Sequence, residues 1–375
     1  MNPLSRVLLT ASVCLLATSA TPLLAAPSTD KVLIVVSGEG KDAGKQRPGY
    51  EFDELSQAWG LFKANGLEVE IASPKGGPVE ADKYNPAEPF NAALLADKEA
   101  MRKLADTQAT STLKADDYAA IYVVGGKGAM FDLPRDASLR QLAGRIWDNG
   151  GIVAAVCHGP AALVDVRLAD GSLLVNGRKL TGFSNEEEAL FGKKWAAEFP
   201  WLLEDTMRQR GAQWSEAPLM MPKLVVDGRL ITGQNPYSTY AVAEAIVRAT
   251  GRTPVARTPS RDELSMALVE RLLAGDAQGP RDALATEPGR YHIDLIGILG
   301  YYQAQAATDD AALEQALQVM DLALPHMQEP QLKLAAAEAH LKLKRPQQAR
   351  ALVLKALETD PKLEQAQALL QRIDG

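Results

Sequence analysis

Cysteine is scarce: the 375 residues contain two, Cys14 and Cys157. A chain with so few cannot rest on a disulfide framework. There are four histidines, and His292, His326 and His340 stand among helical patterns without metal-ligand spacing, so no metal and no other cofactor is expected. Basic blocks are missing too. The 40 Lys and Arg residues are spread along the chain and outnumbered by 47 Asp and Glu, giving a net charge of -7, which argues against nucleic acid as a partner. What the chain does have is length and apolar content. With 46% hydrophobic and 23% charged residues, it can bury a large core and fill two domains.

The N-terminus carries Arg6, an apolar stretch from Val7 through Leu24 diluted by Ser and Thr, and Ala25-Ala26 before Pro27. This pattern predicts a cleaved signal peptide over residues 1–26 and a periplasmic or secreted protein. An uncleaved anchor fits less well, because the stretch is near the lower length limit and no basic stop-transfer residues follow it. Cleavage would remove Cys14 and leave Cys157 as the only thiol. A free cysteine in an oxidising compartment points to chemistry rather than to a staple.

Cys157 sits in the most informative stretch of the chain, Gly150-Gly151-Ile152-Val153-Ala154-Ala155-Val156-Cys157-His158-Gly159-Pro160. Ile152 to Val156 is too short for a helix and too apolar for an exposed strand, so it reads as a buried parallel strand with Cys157 at its carboxyl end. In open α/β sheets the reacting groups collect at that end. A sharp turn into a helix would hold the sulfur beside amide N–H groups, as in a nucleophile elbow, and should lower the thiol pKa. Ala155 stands where the elbow pattern has its first Gly. By residue type alone, a lone cysteine beside a buried strand is usually just a small hydrophobe; the strand, turn and His-Gly context is what favours the catalytic reading.

Around this stretch strands alternate with helices: strands at 32–36, 69–72, 118–124, 180–183, 223–226 and 229–232, helices at 53–65, 92–105, 136–147 and 236–249, and a loop over 74–89. Repeated strand–helix units imply a mostly parallel sheet with helices on both faces. The third strand stops at Gly125-Gly126-Lys127-Gly128. These glycines match neither dinucleotide nor phosphate fingerprints and read as close backbone approach to a reacting centre.

Together with Phe131-Asp132-Leu133-Pro134, Thr181-Gly182-Phe183-Ser184-Asn185 and Thr232-Gly233-Gln234-Asn235-Pro236, the glycine stop and the elbow make residues 30 to 250 resemble the ThiJ/PfpI superfamily. Within it, the chain is most similar to the branch of glutathione-independent glyoxalases and heat-shock chaperones, relatives of class I glutamine amidotransferases. The resemblance implies a flavodoxin-like α/β fold with Cys157 as nucleophile and His158 as its partner. It also implies Glu54 as the acid that contacts the cysteine, Glu188 as the carboxylate that orients His158, and an oxyanion hole from the N–H groups of Gly126 and His158. Glu186 and Glu187 compete with Glu188 for the orienting role. By residue type alone, Glu54 is more often a helix-start carboxylate, and the three glutamates are ordinarily a solvated helix start. Lys127 stands where this branch often has His, which bears on the polarity around the reacting groups or on substrate preference.

After a Thr-Pro linker at residues 251–261, the composition turns rich in Ala, Leu and Gln without strand pattern. Ile296, Leu299, Gly300, Ala312 and Ala316 fit one tetratricopeptide-like helix pair, and Ala336, Ala337, Ala349, Val353, Ala356 and Pro361 fit a second, so residues 262–375 read as an all-α helical-repeat domain. Such a tail is either a concave surface for a protein partner or a packing or dimerisation arm. Every candidate catalytic group of residues 27–250 precedes Thr250, so turnover should survive without it. The activity implied by the resemblance is glyoxalase III-like conversion of methylglyoxal or a related small 2-oxoaldehyde to a 2-hydroxy acid. A PfpI-type cysteine hydrolase or amidase and a periplasmic holdase chaperone are the alternatives.

Overall fold

A computed structural model describes residues 29–374; the expected signal peptide and Cys14 lie outside the described residues. The first part of the chain runs β1 (Lys31–Val35), α1 (Phe52–Ala64), β2 (Glu68–Ser73), α2 (Pro89–Ala96), α3 (Lys98–Ala105), β3 (Gln108–Ala109), β4 (Ala120–Val123), α4 (Ala137–Asp148) and β5 (Ile152–Val156). It continues with β6 (Lys179–Leu180), α5 (Asn185–Phe191), α6 (Lys193–Ala196), α7 (Leu203–Gln209), β7 (Gln213–Trp214), β8 (Leu224–Asp227), β9 (Leu230–Gly233) and α8 (Thr239–Ala249). Seven strands form one sheet in the order β3-β2-β1-β4-β5-β9-β8, parallel except for β8, which returns as a hairpin against β9. Helices cover both faces: α1 and α8 pack against each other, and α4 lies over β4 and β5. The doubly wound α/β class expected from the sequence is the class observed.

β5 is central because every residue of it is buried, with parallel partners on both sides, Val153 opposite Ile121 of β4 and Val156 opposite Gly233 of β9. The sheet order reverses at β1, which places the loops after β1, β4 and β5 around one crevice at their carboxyl ends. Three expectations are corrected. The helix expected at 92–105 is two helices, because Asp97 leaves helical geometry and its carboxylate caps the Glu99 and Ala100 N–H groups of α3. The strand expected at 180–183 shrinks to two residues and pairs with β7 in a separate small sheet. The segment after the elbow is a five-residue 3-10 turn, Gly159–Leu163, with Pro160 in its first turn, so it carries little of the macrodipole of a full helix.

Beyond Thr250 the described chain is helical: α9 (Arg261–Leu273), α10 (Gln278–Thr286), α11 (Ile293–Ala306), α12 (Asp310–Ala323), α13 (Pro330–Lys342), α14 (Pro346–Thr359) and α15 (Glu364–Asp374). α11 packs on α12 and α13 on α14 as antiparallel hairpins. Gly300 permits the first pairing, since a Cβ there would stand 2.7 Å from the Met320 nitrogen. The segment leading into α9 is fastened by Arg257, which bonds Glu244 of α8 and both carboxylate oxygens of Glu263, with its guanidinium 3.9 Å from the Tyr240 ring centroid. One hydrophobic core fills the α/β region and another the far helices, α13 to α15. A third lies among α9 to α13 and takes in Leu219, Met220 and Met221 from the loop before β8.

Candidate active site

The site begins with a strained backbone. Cys157 has φ of 58°, in the left-handed region that non-glycine residues avoid. Its N–H donates to the Gly233 carbonyl at 2.9 Å and its own carbonyl accepts the Phe183 N–H at 2.8 Å, so the end of β9 and the loop before α5 hold the residue there. This aims the side chain at the crevice. Such strain clusters at functional sites, because it persists only where surrounding structure over-determines it.

His158 follows directly, and its Nδ1 lies 3.3 Å from the Cys157 sulfur. Its Nε2 lies 2.7 Å from Glu188 Oε2, which comes from the first turn of the short helix α5. With Nε2–H donated to that carboxylate, Nδ1 faces the sulfur as an acceptor. Phe183 stacks on the imidazole with ring centroids 4.4 Å apart and fixes its plane. The three neighbouring glutamates divide clearly. Glu187 closes a capping box with Ser184 and accepts from the Met220 N–H and Asn235 Nδ2. Glu186 is exposed, and only Glu188 meets the histidine.

Glu54 reaches the same point from the first turn of α1. It is wholly buried, and its Oε2 accepts the Gly125 N–H at 2.6 Å. Oε1 has no hydrogen-bond partner among the described residues. Gly125 is glycine because a Cβ there would stand 2.6 Å from the Cys157 Cβ and 2.8 Å from Glu54 Oε2. Burial, followed by the charge of Glu51, raises the Glu54 carboxyl well above its ordinary range. Burial also pushes the Cys157 thiol up, an ionised Glu54 pushes it further, and the Gly126 N–H directed at the sulfur opposes both. The direction corrects the acidic thiol expected from the elbow. A 3-10 turn supplies little dipole, whereas the carboxyl that the fold adds is a nearby negative charge. Two such groups cannot both ionise without water, so the pair keeps a proton to share.

The sulfur opens into a cavity of about 200 Å³. Its lining includes the polar Glu51, Asp82 and Lys127 and the largely apolar Phe183, Phe191, Met220 and Tyr237. Glu51 is pushed up to about 8, by burial first and then by Asp53 and Asp82. Burial raises Asp82 too, against the hydrogen bond it accepts from the Gly49 N–H. In the turns and caps of the described residues, neither the Gly126 nor the His158 N–H is spent on a backbone carbonyl. The fold thus brings Cys157, His158, Glu188, Glu54 and Gly126 to one point.

Sequence reasoning missed Glu51, Asp82, Met220 and Tyr237. Glu51 had a signal, lying three residues before Glu54 at the start of α1 and so on the same face. The others lie on loops or turns whose composition says nothing about where they fold. Among the described residues no group of three or more His, Cys, Asp or Glu is placed to hold a metal ion.

Known proteins supply the comparison. The glutathione-independent glyoxalase hsp3101 of Schizosaccharomyces pombe is 31% identical over 244 residues, covering 59% of this chain and 96% of the relative. The glutathione-independent glyoxalase HSP31 of Saccharomyces cerevisiae is 32% identical over 212 residues, covering 51% and 84%. Among solved structures, glyoxalase III of Candida albicans aligns with a TM-score of 0.54 and 25% identity over 59% of this chain and 98% of its own. The Rapid Encystment Protein of Francisella tularensis aligns with a TM-score of 0.55 and 28% identity, over the same shares. The profile of the DJ-1/PfpI family matches residues 47–249, from the loop before α1 to the last residue of α8. With its elbow cysteine, histidine and buried glutamate at the carboxyl edge of that fold, the chain belongs to the DJ-1/PfpI family.

Proposed function

We propose that the protein is a glutathione-independent glyoxalase that converts a small 2-oxoaldehyde such as methylglyoxal to the 2-hydroxy acid. The observation that carries this is the Cys157 sulfur 3.3 Å from His158 Nδ1, with Glu54 buried beside it, at a cavity of about 200 Å³. Clefts for drug-sized ligands run about 300–1,000 Å³. This one suits a substrate of few heavy atoms, and the relatives' glyoxalase activity agrees with that size.

The chemistry then runs without an external thiol. The Cys157 sulfur attacks the aldehyde carbon as its proton passes to His158, a C–S bond forms, and the carbonyl electron pair moves onto oxygen. The Gly126 and His158 N–H groups hold that alkoxide. The alkoxide then takes the proton back from His158. A base, the freed His158 or an ionised Glu54, removes the hydrogen from the former aldehyde carbon and passes it to the neighbouring carbonyl oxygen. The electron pair makes an enediol, and protonation at the neighbouring carbon gives a 2-hydroxy thioester. Water attacks the thioester carbon, the C–S bond breaks and the thiol returns, so the net change is addition of one water with no external oxidant or reductant. Glu188 keeps the imidazole in the tautomer that this sequence needs.

The test is lactate formation from methylglyoxal by the purified protein without glutathione, followed over many turnovers. Scavenging by a reactive thiol stops at one equivalent. Methylglyoxal loss without lactate, or equal lactate from Cys157→Ala, would reject the activity. Amine release from amide substrates by the wild type would point to a hydrolase, and suppression of aggregation that survives Cys157→Ala to a holdase. The proposal extends to export, which intact-mass measurement of the protein from its producing cell checks by a mature N-terminus near Ala26.

A further inference from the structure

Three residues of the cavity lining, Phe191, Met220 and Tyr237, also touch the helical region. Met220 is the most constrained of them. Its φ of 63° is left-handed for a long side chain, a conformation that needs outside support. One support comes from the α/β region: Glu187 Oε1 accepts the Met220 N–H at 3.3 Å and the Asn235 side chain at 2.8 Å, and Asn235 also donates to the Met221 carbonyl at 2.9 Å. The other comes from α11. Gln303 Nε2 donates to the Leu219 carbonyl at 3.1 Å, while Leu219, Met220 and Met221 are buried in the core formed by α9 to α13. Beside this contact the Tyr302 ring meets Phe191 edge-on, with centroids 4.9 Å apart.

We infer that the helical region buttresses one part of the active-site cavity lining from behind, with Tyr302 and Gln303 as positioning residues that hold Phe191 and Met220 and so limit the size of the aldehyde admitted. Neither residue lines the cavity; each acts through a residue that does. The glyoxalase hsp3101 is matched over 96% of its length by 59% of this chain, which leaves it almost nothing with which to match the helices. This part of the lining is therefore supported differently here than in that relative. Removal of the helices, which the sequence suggested turnover would survive, takes away half the support of the Met220 loop.

The size limit rests on the glyoxalase proposal, but its test need not. In the full-length protein, the alkylation rate of Cys157 is measured with iodoacetamide and with the bulkier N-phenylmaleimide, for wild type, Tyr302→Ala, Tyr302→Phe and Gln303→Ala. The bulky-to-small rate ratio should rise about two- to tenfold in Tyr302→Ala and Gln303→Ala, the span of one lost aromatic contact or hydrogen bond. Tyr302→Phe keeps the ring and should keep the wild-type ratio. For turnover, KM for methylglyoxal should rise in the two alanine variants with kcat held within about twofold, because binding contacts are lost and not transition-state groups. Discrimination against phenylglyoxal should relax in the same variants. An unchanged alkylation ratio in both alanine variants overturns the inference. A changed ratio in a wild type and variants that make no lactate upholds the buttress and rejects only the glyoxalase activity. Should Tyr302→Ala not fold, Gln303→Ala, which removes one hydrogen bond at a partly exposed position, decides alone.

Discussion

The carboxyl edge of the sheet and the far helices α13 to α15 are built on opposite principles. At the sheet edge the fold accepts costs: a left-handed cysteine, a buried carboxyl with an unpartnered oxygen on Glu54, another on Glu188, and neighbouring acids pushed upward. The core of the far helices contains only Leu, Val and Ala in close packing, for example Ala337, Ala349, Val353 and Ala356. The difference teaches where chemistry is stored. Strain at a buried reactive group persists where dense surroundings fix it, and the seven-stranded core does so for Cys157 and Glu54. The left-handed residue of the far helices, Lys344, lies instead in an exposed turn, and the unpartnered atom there is a single ring nitrogen of His340. Between the two regions lies the core of α9 to α13, which packs like the helices yet backs part of the cavity lining of the site.

Substitutions should separate the regions by what they change. Cys157→Ala should lower turnover on the order of a million-fold, to background, with little change in the thermal midpoint, as expected when a nucleophile is removed. Lactate production and calorimetry on the same sample check both halves. Glu188→Gln should cost on the order of ten-thousandfold in kcat, because an amide no longer selects the histidine tautomer. Equal kcat would show that Glu188 only packs.

Glu54→Gln should cost about a hundredfold to ten-thousandfold in kcat, the usual share of a positioned acid–base group. It should also lower the pH midpoint for alkylation of Cys157, since the charge that raises the thiol is gone while an amide donor remains. A midpoint that stays or rises breaks the account of the shared proton.

Glu51 gives a stability test. Its native value of about 8 lies above the ordinary 4.5, so the folded state holds the proton more tightly than the unfolded chain. The resulting stabilisation is full below 4.5 and is lost as pH rises towards 8. Urea midpoints should therefore fall between pH 5 and 8.5 in the wild type and fall less in Glu51→Gln. The smallest effect is expected farthest from the site. Leu369→Ala in α15 should destabilise by about 2 kcal/mol or somewhat more, visible in urea unfolding, with kcat and KM unchanged.

Much of this was legible in the chain. The run Ile152 to Val156 reads as a buried strand with Cys157 at its carboxyl end, and the resemblance to the ThiJ/PfpI superfamily pointed to Cys157 and His158 as the reacting pair. The α/β class followed from the same periodicities, because strand and helix spacing are local properties. The elbow's electrostatics were misjudged for a definite reason. The apolar, Pro-containing stretch after Cys157 suggested a helix, but only the fold showed a 3-10 turn, and only the fold brought in the Glu54 carboxyl that raises the thiol.

By itself the sequence determined the longer strands of the main sheet, the elbow, the small residues that let backbone approach the sulfur, and the change to helices after Thr250. These depend on side-chain pattern within a few residues. Tertiary structure decided which of three adjacent glutamates meets His158, 30 positions away, since all three have the same chemistry and differ only in the face of α5 they occupy. It also set the Gly125 N–H against a carboxylate 71 positions distant, and Gln303 against a carbonyl 84 positions distant behind the cavity lining. Contacts at such separations are fixed by how whole elements pack, and no local pattern records them.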